Sequence, residues 1–161
     1  LPLPIYGNGR NIRDWLHVED HCTALAAVLE RGVIGETYCV GGGAERRNIE
    51  VVKSIGAAID ARFANDSALA AQWPDCPAAQ GNACESLMTY VADRQGHDHR
   101  YTINDSKLAA TLGVVPAHSF ESGIAATVDW YLDHPHWWQS MLSGEYAAWT
   151  AQQYGVEAPH S

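Results

Sequence analysis

Helical spacing in this chain comes in separate blocks, each cut off by a glycine or a proline, with short strand-like runs between them. Cys22, Leu25, Ala26 and Leu29 recur on one helical stripe, with Glu19 and Asp20 in the first turn and Gly32 as the stop. Ile49, Val52, Ile55 and Ile59 form a second stripe, with Asn48 as its N-cap and Glu50 near its positive end. Residues 36–40 read as a short strand, and Gly41-Gly42-Gly43 lets the backbone swing into the next element. This alternation predicts a mixed α/β fold, helix-rich with short strands. No heptad and no internal repeat emerges, which sets aside coiled coils and solenoids.

The rest of the chain follows the same grammar. Residues 3–18 read as two short strands joined by a tight Asn8-Gly9 turn, a hairpin or a close relative of one. Residues 65–86 turn to Ala, Pro, Asp, Gln and Gly without sustained period and read as a flexible loop with room for one short helical turn. Residues 87–92 and 100–104 read as strands flanking the polar tract 93–99, the kind of loop on which sites are built. Asp105 caps a short helix ending at Gly113. Ser119 caps another, with Ile124, Val128, Tyr131 and Leu132 inward, which Pro135 closes. Residues 137–154 form a helical tail whose Trp137, Trp138, Met141, Leu142, Tyr146 and Trp149 dock against a core.

Composition narrows the function. In 161 residues, ten Lys and Arg stand against nineteen Asp and Glu, a formal charge of −9, so no basic field exists to hold a nucleic acid. Apolar runs fall short of a membrane span, and no charged-then-apolar leader opens the chain, so an intracellular, cytoplasmic protein is expected. The first residue is Leu1, and the opening 1–6 resembles the middle of a protein, so a preceding segment is expected. Four cysteines without a Cys-x-x-Cys exclude zinc-ribbon and thioredoxin-type readings. Cys22 and Cys39 read as buried small hydrophobes. For Cys76 and Cys84, two free thiols are favoured over a bridge.

The candidate chemistry is anion binding. Eight of the ten basic residues are Arg, whose planar fork suits phosphate and carboxylate. Arg13 lies in a strand, where anion contact and a surface salt bridge are evenly matched. The tract Asp93-Arg94-Gln95-Gly96-His97-Asp98-His99-Arg100 gathers two guanidinium and two imidazole groups around a glycine turn, enough to cradle a diphosphate. His97 and His99 alternate onto one face if extended, but no third metal ligand is placed beside them; His134 and His136 read as surface groups. The three glycines match neither dinucleotide nor P-loop pattern, no Gly-x-Ser-x-Gly appears, and no Tyr stands four residues before a Lys. No catalytic centre and no metal site are assigned.

Several stretches together resemble one family, the dTDP-glucose 4,6-dehydratases of the extended short-chain dehydrogenase/reductase superfamily. They are Leu3-Pro4-Ile5-Tyr6-Gly7, Ile12-Arg13-Asp14-Trp15-Leu16-His17-Val18-Glu19-Asp20-His21, Gly35-Glu36-Thr37-Tyr38, Tyr90-Val91-Ala92-Asp93-Arg94, Gly96-His97-Asp98 and Phe120-Glu121-Ser122-Gly123-Ile124. The order and spacing of Arg-Asp-Trp, Val-Glu-Asp-His and Asp-Arg-x-Gly-His-Asp give the match its specificity. Cys39, Gln95 and His99 depart from the family's usual Asn, Pro and Arg.

The resemblance implies that residues 1–161 are the C-terminal, substrate-binding portion of an extended Rossmann-type enzyme. NAD is then bound by an N-terminal half outside this sequence, together with the Tyr-x-x-x-Lys pair and the Asp-Glu pair of the elimination. The implied reaction oxidises C4 of dTDP-glucose with NAD, eliminates water across C5 and C6, and returns the hydride to C6, giving the 4-keto-6-deoxy sugar. The implied substrate contacts are Tyr6 on the nucleotide side, Arg13 as diphosphate clamp, Asn48 at a helix start, Arg94 and His97 on the phosphate and sugar side, and Tyr154 as a further contact. Asn48 as a plain helix cap and Tyr154 as core filler fit the same residues. The full-length enzyme is expected to be a homodimer, and the 161 residues alone to be inactive. The alternatives are another nucleotide-sugar epimerase or dehydratase, or a non-catalytic nucleotide-sugar-binding module.

Overall fold

In a computed structural model of the protein, residues 1–142 are described, with side chains through residue 139. Packing divides the chain into two units, Leu1–Ala126 and Thr127–Ser161. The first opens with β1 (Leu3–Tyr6), which pairs in parallel with β4 (Met88–Val91) in the register Leu3↔Met88 to Tyr6↔Val91. Ile5, at 1% exposure, anchors that pair in the core, while Pro4, which has no N–H to give, suits an edge position. The second pair, β2 (Ile12–Asp14) with β3 (Glu45–Arg47), is antiparallel.

These pairings correct the expected hairpin. The Asn8-Gly9 turn is present, with Gly9 N donating to Tyr6 O at 3.0 Å, but it steers the chain from one sheet to the other instead of folding β1 onto β2. Each strand has a distant partner, and a local turn signal carries no information about which partner wins. Residues 36–40 also differ from expectation. They form no strand: Glu36 N turns back to Val33 O, and the Thr37 carbonyl accepts from Lys107 Nζ at 2.7 Å. Of 100–104, only Arg100 forms a bridge, to Ile12, so that stretch is not a strand either.

The first long helix, α1 (Val18–Arg31), ends at Gly32 as its sequence predicts. Its buried face is different: Asp20, Ala24 and Ala27 point inward, while Leu25 is 52% and Leu29 89% exposed. Small alanines allow close approach, so the helix packs through them. Cys22 and Cys39 are likewise exposed, not buried. The second long helix, α2 (Asn48–Asn65), buries Val51, Gly56 and Phe63, leaving the expected Ile49, Val52 and Ile59 half-buried and Ile55 at its edge.

Residues 65–86 hold more structure than a loop: α3 (Ser67–Gln72) and 3-10 turns at Pro77–Gln80 and Cys84–Leu87. Asp66 caps α3 by accepting from Ala68 N at 3.0 Å, and Leu69 and Cys84 are buried. Elements this short show no sustained period, which is why the sequence hides them. Beyond β4, α4 (Ser106–Leu112) stops at a left-handed Gly113, and its first amide is taken by Asn104 Oδ1, not by the expected Asp105. In α5 (Phe120–Asp133), Ser119 Oγ accepts from Ser122 N as expected; Val128 is buried and Tyr131 is 46% exposed. Pro135 both follows α5 and opens α6 (Pro135–Leu142), the position where its missing N–H costs nothing. In the second unit, Trp130 stacks on His134 and meets Trp137 edge-on. The expected tail beyond residue 142, with Tyr146, Trp149 and the candidate contact Tyr154, lies outside the described residues. Among the described residues no helix is long and apolar enough to cross a membrane.

Candidate functional site

Parallel strands place ligand-binding loops at their carboxyl ends. Here β1 ends at Tyr6 and β4 at Val91, side by side, and Gly7 N continues the ladder to Val91 O at 3.0 Å. Gly7 adopts a left-handed φ of +56°, and a Cβ there would lie 2.7 Å from Asp93 Oδ2. The glycine therefore makes room for Asp93. From Asp93 the chain builds a compact cluster: Asp93 Oδ1 accepts from Arg94 N at 2.9 Å and lies 2.6 Å from His97 Nδ1, while His97 Nε2 is 3.1 Å from Arg94 Nη2.

The direction of these bonds follows from donor chemistry. A guanidinium can only donate, so His97 Nε2 accepts and Nδ1 carries the proton given to Asp93. That hydrogen bond from His97 holds the Asp93 carboxyl below the ordinary carboxylate range, with the Arg94 amide and charge assisting. The Arg94 guanidinium lies over the Tyr6 ring, 5.0 Å from its centroid. Tyr6, Arg94 and His97 are thus brought together. With both His97 nitrogens occupied, the open alternative of a metal at His97 and His99 loses its first ligand.

Arg13 joins this cluster through the loop 93–101. Its Nη2 donates to Asp98 O at 3.0 Å, its Nη1 to Ile12 O at 2.7 Å, and its guanidinium lies 4.5 Å from the centre of the Tyr101 ring. Asn11, only 8% exposed, donates to the same Asp98 carbonyl at 3.1 Å. Ile12 N donates to His99 O and Tyr101 N to Ile12 O, so the loop is strapped along β2. Its end is pinned by a bidentate pair between Arg100 and Glu45, and hydrogen bonds from Thr102 and then Arg100 hold the Glu45 carboxyl below its usual range. The Tyr101 hydroxyl donates to Asp98, and that bond raises the phenol above its ordinary value. No carboxylate among the described residues pairs with Arg13, which removes the salt-bridge reading and leaves a guanidinium held by carbonyls and a ring.

Asn48 is not a cap. It is the first residue of α2, Arg47 is the capping position, and Glu50 Oε2 accepts from Arg47 N at 2.8 Å. Asn48 N donates to Asn11 O and Ile49 N to Gly9 O, both at 2.9 Å. Asn48 is therefore placed next to the loop that carries Tyr6 and Asn11 towards Arg13. The same bonds use up the first amides of α2, so this helix start does not offer them to an anion. Asp14, next to Arg13, accepts from Gly42 N and Ala44 N, both at 2.8 Å, clipping the glycine run into β3. A Cβ at Gly42 would lie 1.9 Å from Trp15 O.

Sequence reasoning missed Asn11 and the part played by Tyr101. Both lie one or two residues from singled-out groups, and neither has a pattern of its own; Asn11 is visible only as a buried polar side chain.

Comparison with known proteins shows what the whole chain is similar to. A family model described as GDP-mannose 4,6 dehydratase matches residues 1–127. A dTDP-glucose 4,6-dehydratase of Xanthomonas campestris pv. campestris (strain B100) is 50% identical over 145 residues, 90% of this chain and 38% of that protein. The solved dTDP-glucose 4,6-dehydratase from Bacillus anthracis, in complex with NAD, aligns with a TM-score of 0.67 at 37% identity, over 86% of this chain and 37% of that one. The Streptomyces venezuelae dTDP-glucose 4,6-dehydratase with NAD and TYD bound aligns with a TM-score of 0.63 at 37% identity, over 86% and 36%. The chain thus spans somewhat more than a third of the length of the relatives it matches, and its fold is that of this part of an extended Rossmann-type enzyme.

Proposed function

We propose, from the premise that this chain belongs to the GDP-mannose 4,6 dehydratase family, that it is the nucleotide-sugar-binding portion of a dTDP-glucose 4,6-dehydratase. The full-length enzyme converts dTDP-glucose to dTDP-4-keto-6-deoxyglucose by NAD-dependent oxidation, elimination of water and reduction. Supporting this reading are the named relatives, at up to 50% identity, and the two guanidinium groups of Arg13 and Arg94 held by one loop. The single observation that carries it is the contact set Tyr6, Asp93, Arg94 and His97 at the carboxyl ends of the parallel pair.

The residues present do not fit NAD itself. The sequence has no glycine-rich dinucleotide turn, and the first amides of α2 are already engaged. In this reading NAD is bound by a part of the enzyme beyond these 161 residues, and residues 1–161 act on the substrate alone. Arg13 and Arg94 take the diphosphate oxygens in charge-assisted forks. Tyr6 supports Arg94 from its ring face. His97, fixed by Asp93, holds the guanidinium of Arg94 in place, and Asn48 lies beside the loop between Tyr6 and Arg13. Binding the diphosphate at a distance from the reacting carbons holds the sugar still, and that remote binding energy lowers the barrier by positioning. The enzyme acts in the cytoplasm, as a homodimer in its full-length form.

In the full-length protein, Arg13→Ala is expected to weaken dTDP binding roughly 10- to 100-fold in a calorimetric titration, the worth of a charge-assisted hydrogen bond. Arg62→Ala is the control, since Arg62 lies fourteen residues along α2 from Asn48, about 21 Å of helix. Equal losses in both variants would remove Arg13 from the clamp. Tighter binding of UDP or GDP than of dTDP would favour another nucleotide-sugar enzyme of the family.

A further inference from the structure

We propose that His17, Glu19 and His118 form a binding site for one divalent transition-metal ion of the zinc or cobalt type, with Asp20 as the carboxylate that orients His118. The three side chains come from two distant parts of the chain. His17 is the N-cap of α1, Glu19 lies in the first turn of that helix, and His118 stands just before α5. One ligand atom from each, two imidazole nitrogens and a carboxylate oxygen, lies within 4.8 Å of the others.

The distances are close to what an ion requires. A tetrahedral ion with bonds of about 2.0 Å sets its ligand atoms roughly 3.3 Å apart. His118 Nε2 is already 3.6 Å from Glu19 Oε2. The two imidazole rings face one another, with centroids 4.1 Å apart and planes tilted by 36°. Glu19, with 73% of its side chain exposed, is free to rotate towards the two half-buried imidazoles.

The surroundings have the features of a metal's outer shell. Metal-bound imidazoles usually give their second N–H to a carboxylate, which fixes the tautomer and aims the other nitrogen. Here His118 Nδ1 lies 3.1 Å from Asp20 Oδ2, leaving Nε2 directed to Glu19. Asp20 is 8% exposed and is itself anchored by the amides of Ala117 and His118, each at 3.0 Å, so the orienting group is rigid. His17 has no such anchor. Its Nδ1 is buried without a hydrogen-bond partner, and its ring rests on Gly123, where an added Cβ would come within 3.5 Å of it. A buried ring nitrogen without a partner is an exception among native side chains.

Ligand chemistry selects the ion. Calcium and magnesium favour all-oxygen shells, whereas two imidazoles and one carboxylate suit zinc, cobalt or nickel. Three protein ligands leave the fourth position to solvent. The bound ion would tie the start of α1 to the segment before α5. It would do so whether or not the nucleotide-sugar reading is right.

The test is a Co2+ titration of the full-length protein after chelator treatment, followed by its visible absorption bands and by displacement with Zn2+. One ion per chain is expected at this site. Glu19→Gln, a change on an exposed side chain, and His118→Gln should each lower affinity for it at least 10-fold. Cys76→Ser and His134→Gln should not. The proposal is overturned if no saturable uptake of Co2+ or Zn2+ occurs, or if uptake is the same in Glu19→Gln as in the unaltered protein. Circular dichroism of each variant separates lost binding from lost folding, and Glu19→Gln decides the matter if His118→Gln does not fold.

Discussion

The corner at the ends of β1 and β4 and the outward face of α1 were equally prominent in the sequence, yet they behave differently in the structure. At the corner, Asp93, Arg94 and His97 satisfy one another, and Gly7 leaves the space Asp93 occupies. On α1, the apolar stripe that periodicity selects is largely exposed, with Leu29 at 89%, and the helix is held instead by Ala24, Ala27 and Asp20. A polar tract carries its own partners within a few residues and can be read locally. An apolar stripe says only that a face is apolar, and what covers it lies elsewhere.

The largest effect expected from this contrast is at Gly7. Gly7→Val puts a β-branched residue at φ +56° and drives its Cβ into Asp93. On the order of 3 kcal/mol of stability should be lost, seen as a lower urea midpoint of the full-length protein. An unchanged midpoint would mean that the corner is not built around that glycine.

A smaller effect concerns pH. The hydrogen bond from His97 lowers the carboxyl pKa of Asp93 in the folded state, so the stabilisation it gives is present above the unfolded value near 3.9 and is lost as pH falls through the lower folded value. Asp93 is 46% exposed, so solvent screening keeps the contribution small. His97→Ala should move the Asp93 midpoint up towards 3.9 in a carbon-13 carboxyl titration. No movement would show that His97 does not set it.

The smallest effect belongs to the other region. Leu29→Lys on α1 should change stability by no more than about 0.5 kcal/mol, because little apolar area leaves water on folding there. A loss of several kcal/mol in the full-length protein would show that something covers this face, and the contrast between the two regions would have to be redrawn.

The same division explains what the sequence disclosed. The two long helices, the Gly32 and Gly113 stops and the Ser119 cap all rest on short-range chemistry, and all are found. Strand pairing was not legible: the Asn8-Gly9 turn predicts a hairpin, but β1 takes β4 and β2 takes β3, choices made across 31 to 85 residues. In place of the expected strand at 36–40, the Thr37 carbonyl and the Glu36 carboxylate accept from Lys107, a residue whose approach no local pattern announces. Asn48 was placed one position off as a cap because an Asn before a helical run and an Asn opening it look alike; Glu50 bonding to Arg47 decides the matter. Arg13 lies in a strand, as the sequence suggests, but its partners, the Asp98 carbonyl and the Tyr101 ring, arrive through the loop 93–101.

The most direct test of the account is a crystal structure of the full-length protein with dTDP. The account predicts diphosphate oxygens within hydrogen-bond distance of the guanidinium nitrogens of both Arg13 and Arg94, with His97 still joined to Asp93. A nucleotide bound elsewhere, with no diphosphate oxygen near the guanidinium of Arg13 or Arg94, would contradict it.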